Sequence, residues 1–178
     1  LQPIFHKFIG KRPLMNILML DNQNLQTLTD DALTADLQRV SLRDNHLRTL
    51  PDTLWQLTHL ERLSLGNNQF TQIPSDIGNL TTLQELFLDG NPLEHVPDSL
   101  GDLIKLKILD LGHCELVDLP DSLEQLQQLE FFYASDNQLT ECPRWIGNLS
   151  NLSYFNMTDN HLVNLPDSLG NLATLIEL

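Results

Sequence analysis

The stretch LERLSLGNNQFTQIPSDIGNLTT at residues 60–82 is followed at 83–105 by LQELFLDGNPLEHVPDSLGDLIK, and the second restates the first slot for slot. Leu60 answers to Leu83, Leu63 to Leu86, Leu65 to Leu88, Asn68 to Asn91, Phe70 to Leu93 and Pro74 to Pro97. Working outward in both directions gives Leu37, Leu60, Leu83, Leu106, Leu129, Leu152 and Leu175, each 23 residues after the last. A fixed period of this length marks stacked structural units, none of which can bury its apolar face alone. In the six full units from Leu37, apolar residues recur at unit positions 1, 4, 6, 11, 14, 18 and 21. Six units of seven slots make 42 positions, and all are apolar, Ala134 and Cys142 included. Position 15 is always proline (Pro51, Pro74, Pro97, Pro120, Pro143, Pro166), and position 9 holds Asn45, Asn68, Asn91, Asn137 and Asn160, with Cys114 the exception.

The unit Leu-x-x-Leu-x-Leu-x-x-Asn-x-Leu-x-x-Leu-Pro-x-x-Leu-x-x-Leu resembles the 23-residue leucine-rich repeat. It is similar in particular to the Leu-Pro-bearing subclass of Ras-pathway scaffolds, Scribble-type proteins, Roco proteins and bacterial repeat proteins. The resemblance covers Leu37 to Leu178 closely and extends more loosely from Leu14. It implies an α/β solenoid, a horseshoe with a concave parallel sheet and short helical or 3₁₀ turns on the convex side. It also implies a mode of use, the non-catalytic holding of another protein on the concave face. The alternative is the substrate-targeting arm of a larger signalling enzyme or bacterial effector, such as a kinase, a Roco GTPase or a ubiquitin ligase; a third reading is a structural spacer.

Elementary chemistry leads to the same architecture. Positions 4 and 6 alternate inward as in a short strand, so each unit adds one parallel strand whose apolar side chains stack on those of its neighbours. An asparagine at position 9, where the strand turns its corner, can both donate and accept; the five form a ladder satisfying backbone groups that the corner leaves unpaired. A thiol at Cys114 is small and tolerates burial, and Cys142 fills a core slot, so both read as structural. Proline at position 15 lacks an N–H and ends pairing. A return turn such as Pro97-Asp98-Ser99-Leu100-Gly101-Asp102-Leu103 follows, with Asp or Ser near its start placed to cap it and glycine allowing tight passage.

The ends are less regular. Residues 1–36 read as an N-terminal cap plus a degenerate first repeat, with Ile4, Phe5, Phe8 and Ile9 supplying apolar cover. The loop Asp21-Asn22-Gln23-Asn24-Leu25 carries one residue more than Asp44-Asn45-His46-Leu47, which leaves two registers open for that first unit. Residues 37–178 read as six full repeats and the start of a seventh in one continuous domain, with the expectation that the solenoid continues beyond Leu178.

Composition narrows the function. The chain has 178 residues, 10 Lys plus Arg against 24 Asp plus Glu, and a formal charge of −14. Such a surface repels phosphate backbones, so nucleic acid is excluded as a partner. No apolar run approaches the ~20 residues of a membrane helix, so membrane insertion is excluded too. Two cysteines without metal-ligand spacing exclude a disulfide scaffold or zinc site and favour a cytoplasmic setting, with secreted effector and surface protein as the other options. The six histidines make no ligand set, and no phosphate loop or nucleophile constellation occurs, so neither cofactor nor metal is expected. Sequons at Asn79, Asn148, Asn151 and Asn156 follow largely from the repeat itself. The expected state is a monomer.

Side chains at positions 3, 5, 7, 8 and 10 leave the strand on the concave face, where a partner would be read. Column three runs Arg39, Arg62, Glu85, Ile108, Phe131, Tyr154, and column five Ser41, Ser64, Phe87, Asp110, Tyr133, Asn156. Two groups stand out as partner-binding candidates. Phe87, Ile108, Phe131, Tyr133 and Tyr154 put four of the chain's 11 aromatics on this face, and aromatics carry a disproportionate share of interface energy. Arg39, Arg43 and Arg62 gather near the N-terminal end; Arg39 beside Arg62 makes a like-charge pair that Glu85, Asp44 or an acidic group of a partner would offset, and the competing reading is solvated guanidiniums with Glu61 and Asp44 as local counter-ions. The competing reading of the rings is cross-strand packing on one another, worth ~0.2–1 kcal/mol per pair.

Overall fold

In the computed structural model, which describes residues 16–176, each unit contributes one three-residue strand. These are β1 (Ile17–Met19), β2 (Arg39–Ser41), β3 (Arg62–Ser64), β4 (Glu85–Phe87), β5 (Ile108–Asp110), β6 (Phe131–Tyr133) and β7 (Tyr154–Asn156). They form one parallel sheet in chain order. The middle residue of β2 to β7 is buried and its neighbours face outward, as the period-2 alternation of a strand requires. Together with the turns on the opposite side, this is the leucine-rich-repeat solenoid. The apolar residues expected to cap the N-terminal end, Ile4, Phe5, Phe8 and Ile9, lie outside the described residues.

The register of the first unit is single. Ile17 faces Arg39, a step of 39 − 17 = 22, whereas Arg39 faces Arg62 and every later step is 23. Leu25 therefore stands where Leu47 stands one turn later. Its N–H and that of Gln23 both donate to Asn45 Oδ1, at 2.9 and 3.0 Å.

Behind the sheet the leucines of positions 1, 4 and 6 stack in continuous columns; Leu60, Leu83, Leu106, Leu63, Leu86 and Leu109 are all 0% exposed. Where position 6 shrinks to Ala134, position 4 grows to Phe132, which stacks on Phe155 with ring centroids 5.6 Å apart. The larger side chain fills what the smaller one leaves, as close packing demands. The asparagine ladder closes the corner. Asn68 Nδ2 donates to the carbonyls of Leu42 and Leu65, and its Oδ1 accepts the Leu47 N–H at 3.0 Å; Asn91 and Asn137 repeat the pattern. Cys114 keeps only the donor half, with Sγ 3.5 Å from the carbonyls of Leu88 and Gly112. The Leu93 N–H, which an asparagine oxygen would have accepted, turns instead to the Asn91 carbonyl at 2.8 Å. One local hydrogen bond thus repairs the gap. Burial pushes the thiols of Cys114 and Cys142 up to about 11, so both are protonated at neutral pH.

On the convex side each full unit makes a five-residue 3₁₀ turn, from Asp52–Gln56 to Asp167–Asn171. Here one expectation needs correction, because no side chain caps these turns. The N-cap is the proline itself, whose carbonyl accepts the N–H three residues on, as from Leu54 to Pro51 at 3.0 Å. Neighbouring turns touch closely where position 19 is glycine. A Cβ at Gly101 would lie 2.3 Å from the Ser122 carbonyl oxygen, and one at Gly147 would lie 2.1 Å from that of Ser168. Where position 19 is Trp55 or Glu124 the turns pack less tightly. Leu165, at the core position 14, is exposed because that slot is packed by the turn on its far side, whereas Val163 and Ile176 are exposed because positions 12 and 2 point outward, as Val117 at position 12 also does.

Candidate functional site

The strand register builds the concave face as two columns of neighbours. Column three places Arg39, Arg62, Glu85, Ile108, Phe131 and Tyr154 side by side, and column five places Met19, Ser41, Ser64, Phe87, Asp110, Tyr133 and Asn156. Adjacent members lie about one strand spacing apart, ~4.8 Å, so each can touch the next.

In the N-terminal half the charges find partners within the chain. Arg62 Nη1 donates to Glu85 Oε2 at 2.6 Å, and its guanidinium carbon sits 4.7 Å from the centre of the Phe87 ring. Arg43 makes a bidentate bridge to Asp89, 2.8 and 2.7 Å long, across 46 residues and two turns. Between the two, in the same column, stands Gly66. A Cβ there would lie 2.5 Å from Asp89 Oδ1 and 2.6 Å from Arg43 Nη1, so the bridge needs this glycine to cross the intervening strand. The hydrogen bond to Asp89 raises the Arg43 pKa further above its ordinary value, locking in its charge.

Glu85 serves Arg62, as one of the carboxylates expected to offset the arginines, whereas the counter-ion of Arg43 is Asp89, two turns on, rather than Glu61 or Asp44. The reason is geometric: cross-strand neighbours on one face approach more closely than sequence neighbours, whose side chains point to opposite faces. Arg43 and Arg62 are thereby engaged at home. Arg39 is exposed and forms no ion pair among the described residues. Ser64, in an outward column, is 1% exposed and so is also withdrawn from the surface.

The C-terminal half is different in kind. Ile108, Phe131 and Tyr154 are successive neighbours in column three, with Tyr133 beside them in column five, and all four are half-exposed. The Tyr133 and Tyr154 rings meet at 4.9 Å between centroids and a 37° tilt. That contact belongs to the cross-strand packing reading, yet the faces of a half-exposed ring cluster still offer apolar area to a partner. The structure thus brings Phe131, Tyr133, Tyr154 and Ile108 together and assigns Phe87 to Arg62.

Between the halves sits Asp110, whose Oδ1 accepts the Gly112 N–H at 3.0 Å. Burial holds its carboxyl above the usual carboxylate range, and Asp89 nearby adds to this. Column eight has a backbone reason for its residues. Asp44, Asn67, His113, Asp136 and Asp159 adopt φ between 52° and 56°, and Gly90 adopts 66°. This left-handed corner is the region that Gly, Asn, Asp and His enter most readily. Gly66, Asp89 and Asp110 were not singled out from sequence. The signal for the first two was the column-seven order Arg43, Gly66, Asp89, an opposite-charge pair with a glycine between.

Among the described residues no His, Cys, Asp and Glu cluster could hold a metal ion, and no helix is long and apolar enough to cross a membrane. The leucine rich repeat family matches at residues 13–70, 35–93, 81–139 and 151–172. Solved structures are similar over most of the chain. A leucine-rich-repeat protein of Leptospira interrogans is 36% identical with a TM-score of 0.86 over 90% of this chain and 41% of its own. An internalin of Listeria monocytogenes is 26% identical with a TM-score of 0.71 over 80% of this chain and 41% of its own. The Arabidopsis receptor kinase HAESA, solved with a peptide hormone and a co-receptor, is 34% identical with a TM-score of 0.71 over 79% of this chain and 25% of its own. A search of curated proteins returns no match. The chain spans less than half the length of each of these solved neighbours.

Proposed function

The chain belongs to the leucine-rich-repeat family, and on that premise we propose that it is a non-catalytic module holding a protein partner on the concave face. The fold is a common protein-interaction scaffold, and one of its solved neighbours holds a peptide hormone. The observation that carries the reading is the cluster of Ile108, Phe131, Tyr133 and Tyr154, half-exposed in adjacent slots of the sheet face. A folded chain has no need of exposed rings there, whereas a partner gains from desolvating them. Phe87 borders the patch, and Arg39 remains able to meet an acidic group. The 23-residue Leu-Pro subclass is inferred from the spacing, as is one continuous domain that residues 1–36 open and residues 37–178 continue.

The test is affinity capture with the whole chain beside a variant carrying Phe131→Ala, Tyr133→Ala and Tyr154→Ala. A protein retained by the parent and lost from the variant supports the reading; equal retention by both places binding elsewhere. A second reading, the targeting arm of a longer signalling enzyme, draws on the 25% share this chain has of a plant receptor kinase. Reading the gene beyond the codon for Leu178 decides it: a catalytic domain supports the arm, and an early stop removes it.

A further inference from the structure

The convex turns close on one another through a repeated pair, a glycine at position 19 against the position-17 residue of the next turn, as in Gly78 with Ser99, Gly101 with Ser122 and Gly147 with Ser168. Between the turns Asp121–Gln125 and Arg144–Asn148 the equivalent pair is Glu124 and Trp145, two large side chains, and these turns pack less tightly. Core slot 14 shrinks at the same place, from Leu119 to Cys142. The result is a groove of about 1330 Å³ on the flank of the solenoid, lined by positions 12 to 20 of three successive units and by no strand residue. It is larger than the ~300–1,000 Å³ of small-molecule sites and open to solvent, with Val163 of its lining 80% exposed, so its size suits a segment of another macromolecule.

From these observations we infer that the groove is a second binding surface, separate from the concave face, and that it takes an amphipathic helix of a partner protein with lysine or arginine along the edges of its apolar stripe. Val117 and Val163 supply apolar surface at position 12, where the other units hold Arg48, Thr71, Glu94 and Thr140, so the fold itself has no use for valine there. Around them stand five carboxylates and a single guanidinium, that of Arg144. Asp118 is held by His95 at 2.8 Å and Glu124 accepts Asn148 Nδ2 at 2.8 Å, whereas Asp121, Glu141 and Asp167 are exposed and form no ion pair among the described residues. The buried Trp145, which also lines the groove, has an indole N–H with no acceptor among the described residues. Buried donors of this kind are usually paired, and an acceptor on the occupant would complete this one. No strand borders the groove, so an extended segment would find no edge to pair with. A helix satisfies its own backbone and sets basic side chains on both sides of one apolar stripe. A second copy of this chain, at −14, would bring like charge to the acids.

The probe is a labelled lysine-leucine peptide in amphipathic helical register, about four turns long, titrated against the whole chain beside its glutamate-leucine counterpart. The expected result is at least tenfold tighter binding of the lysine peptide. Two charge-matched variants separate a site from general acidity. The first carries Asp121→Asn, Glu141→Gln and Asp167→Asn; the second carries Asp52→Asn, Asp76→Asn and Asp98→Asn, exposed acids outside the groove. Loss of about tenfold in the first and little change in the second supports the inference, and equal losses overturn it. Val117→Ser with Val163→Ser, both exposed in a mostly polar column, should also weaken the lysine peptide about tenfold. The two tryptophans give a local readout by nuclear magnetic resonance: the Trp145 indole N–H should shift on binding, while Trp55, outside the groove, stays in place. Phe131→Ala with Tyr154→Ala should leave the lysine peptide unaffected; its loss there would put the peptide on the concave face and overturn the inference while the concave-face reading stands. Failure of the lysine peptide to bind, binding that leaves Trp145 unmoved, or equally tight binding of the glutamate peptide overturns it as well.

Discussion

The two halves of the concave sheet are built on the same repeat and have opposite chemistry. From β2 to β4 the outward columns carry charge, and apart from Arg39 its cations are engaged by the chain, Arg62 by Glu85 and Arg43 by Asp89. From β5 to β7 the same columns carry Ile108 and then the rings of Phe131, Tyr133 and Tyr154, and these four stay half-exposed. A repeat fixes where side chains point and leaves what they are to vary, so one scaffold holds a charged, internally bridged surface beside a largely apolar one. Density of functional-looking residues is therefore a poor guide; what matters is which charges the chain already holds in ion pairs and which apolar area it leaves half-exposed.

The largest effect that would test this contrast is on stability in the N-terminal half. Arg43→Ala should cost about 2 kcal/mol, because it leaves Asp89 and Asp110 facing each other on a half-buried surface. Chemical denaturation measures it, and a cost near zero would mean the bridge is ornamental. Gly66→Ala should cost about 1–2 kcal/mol by pushing the bridge apart, and nearly nothing once Arg43 and Asp89 are both alanine. The same change at Gly112, where a Cβ would meet Asp110 Oδ1 at 3.3 Å, should be close to silent. Tyr133→Ala with Tyr154→Ala should cost only about 1 kcal/mol of stability, the worth of one cross-strand aromatic pair. If the tyrosines proved as costly as the bridge, the rings would be structural and the contrast would fail.

The smallest effect depends on pH. Burial holds Asp110 above the usual carboxylate range, so the folded chain binds this proton more tightly than the unfolded chain does. Its ionisation subtracts from stability as pH rises through the folded value. Asp110→Asn removes that loss while keeping an oxygen for the Gly112 N–H, as Asn156 does for Thr158. The variant should melt higher than the parent at pH 7, and the gain should fade as pH falls towards the unfolded carboxylate value near ~3.9. A gain that persists unchanged in acid would point to a cause other than charge.

Much of the fold was legible because each rule acts within one period. Leu63, Leu65 and Asn68 recur at fixed offsets, and the strand, its stacking and the corner follow from that alone. The register at Ile17 was not legible, since a one-residue contraction is settled by which N–H groups reach Asn45 in space. Capping was misread because Pro51 and its equivalents occupy the N-cap position where an Asp or Ser side chain was expected. The placement of Phe131, Tyr133 and Tyr154 on one face followed from strand parity, whereas the fate of Arg43 did not. Its counter-ion lies two periods away, and only the stacking of columns reveals that Gly66 clears the path.

Side-chain footprinting of the complex with a captured partner tests the central claim most directly, because aromatic probes lie in both halves. Oxidation of Phe131, Tyr133 and Tyr154 should slow severalfold on binding while Phe87, already covered by Arg62, changes little. Protection of Phe87 together with unchanged rates at the tyrosines would contradict the account and move the binding surface to the N-terminal half.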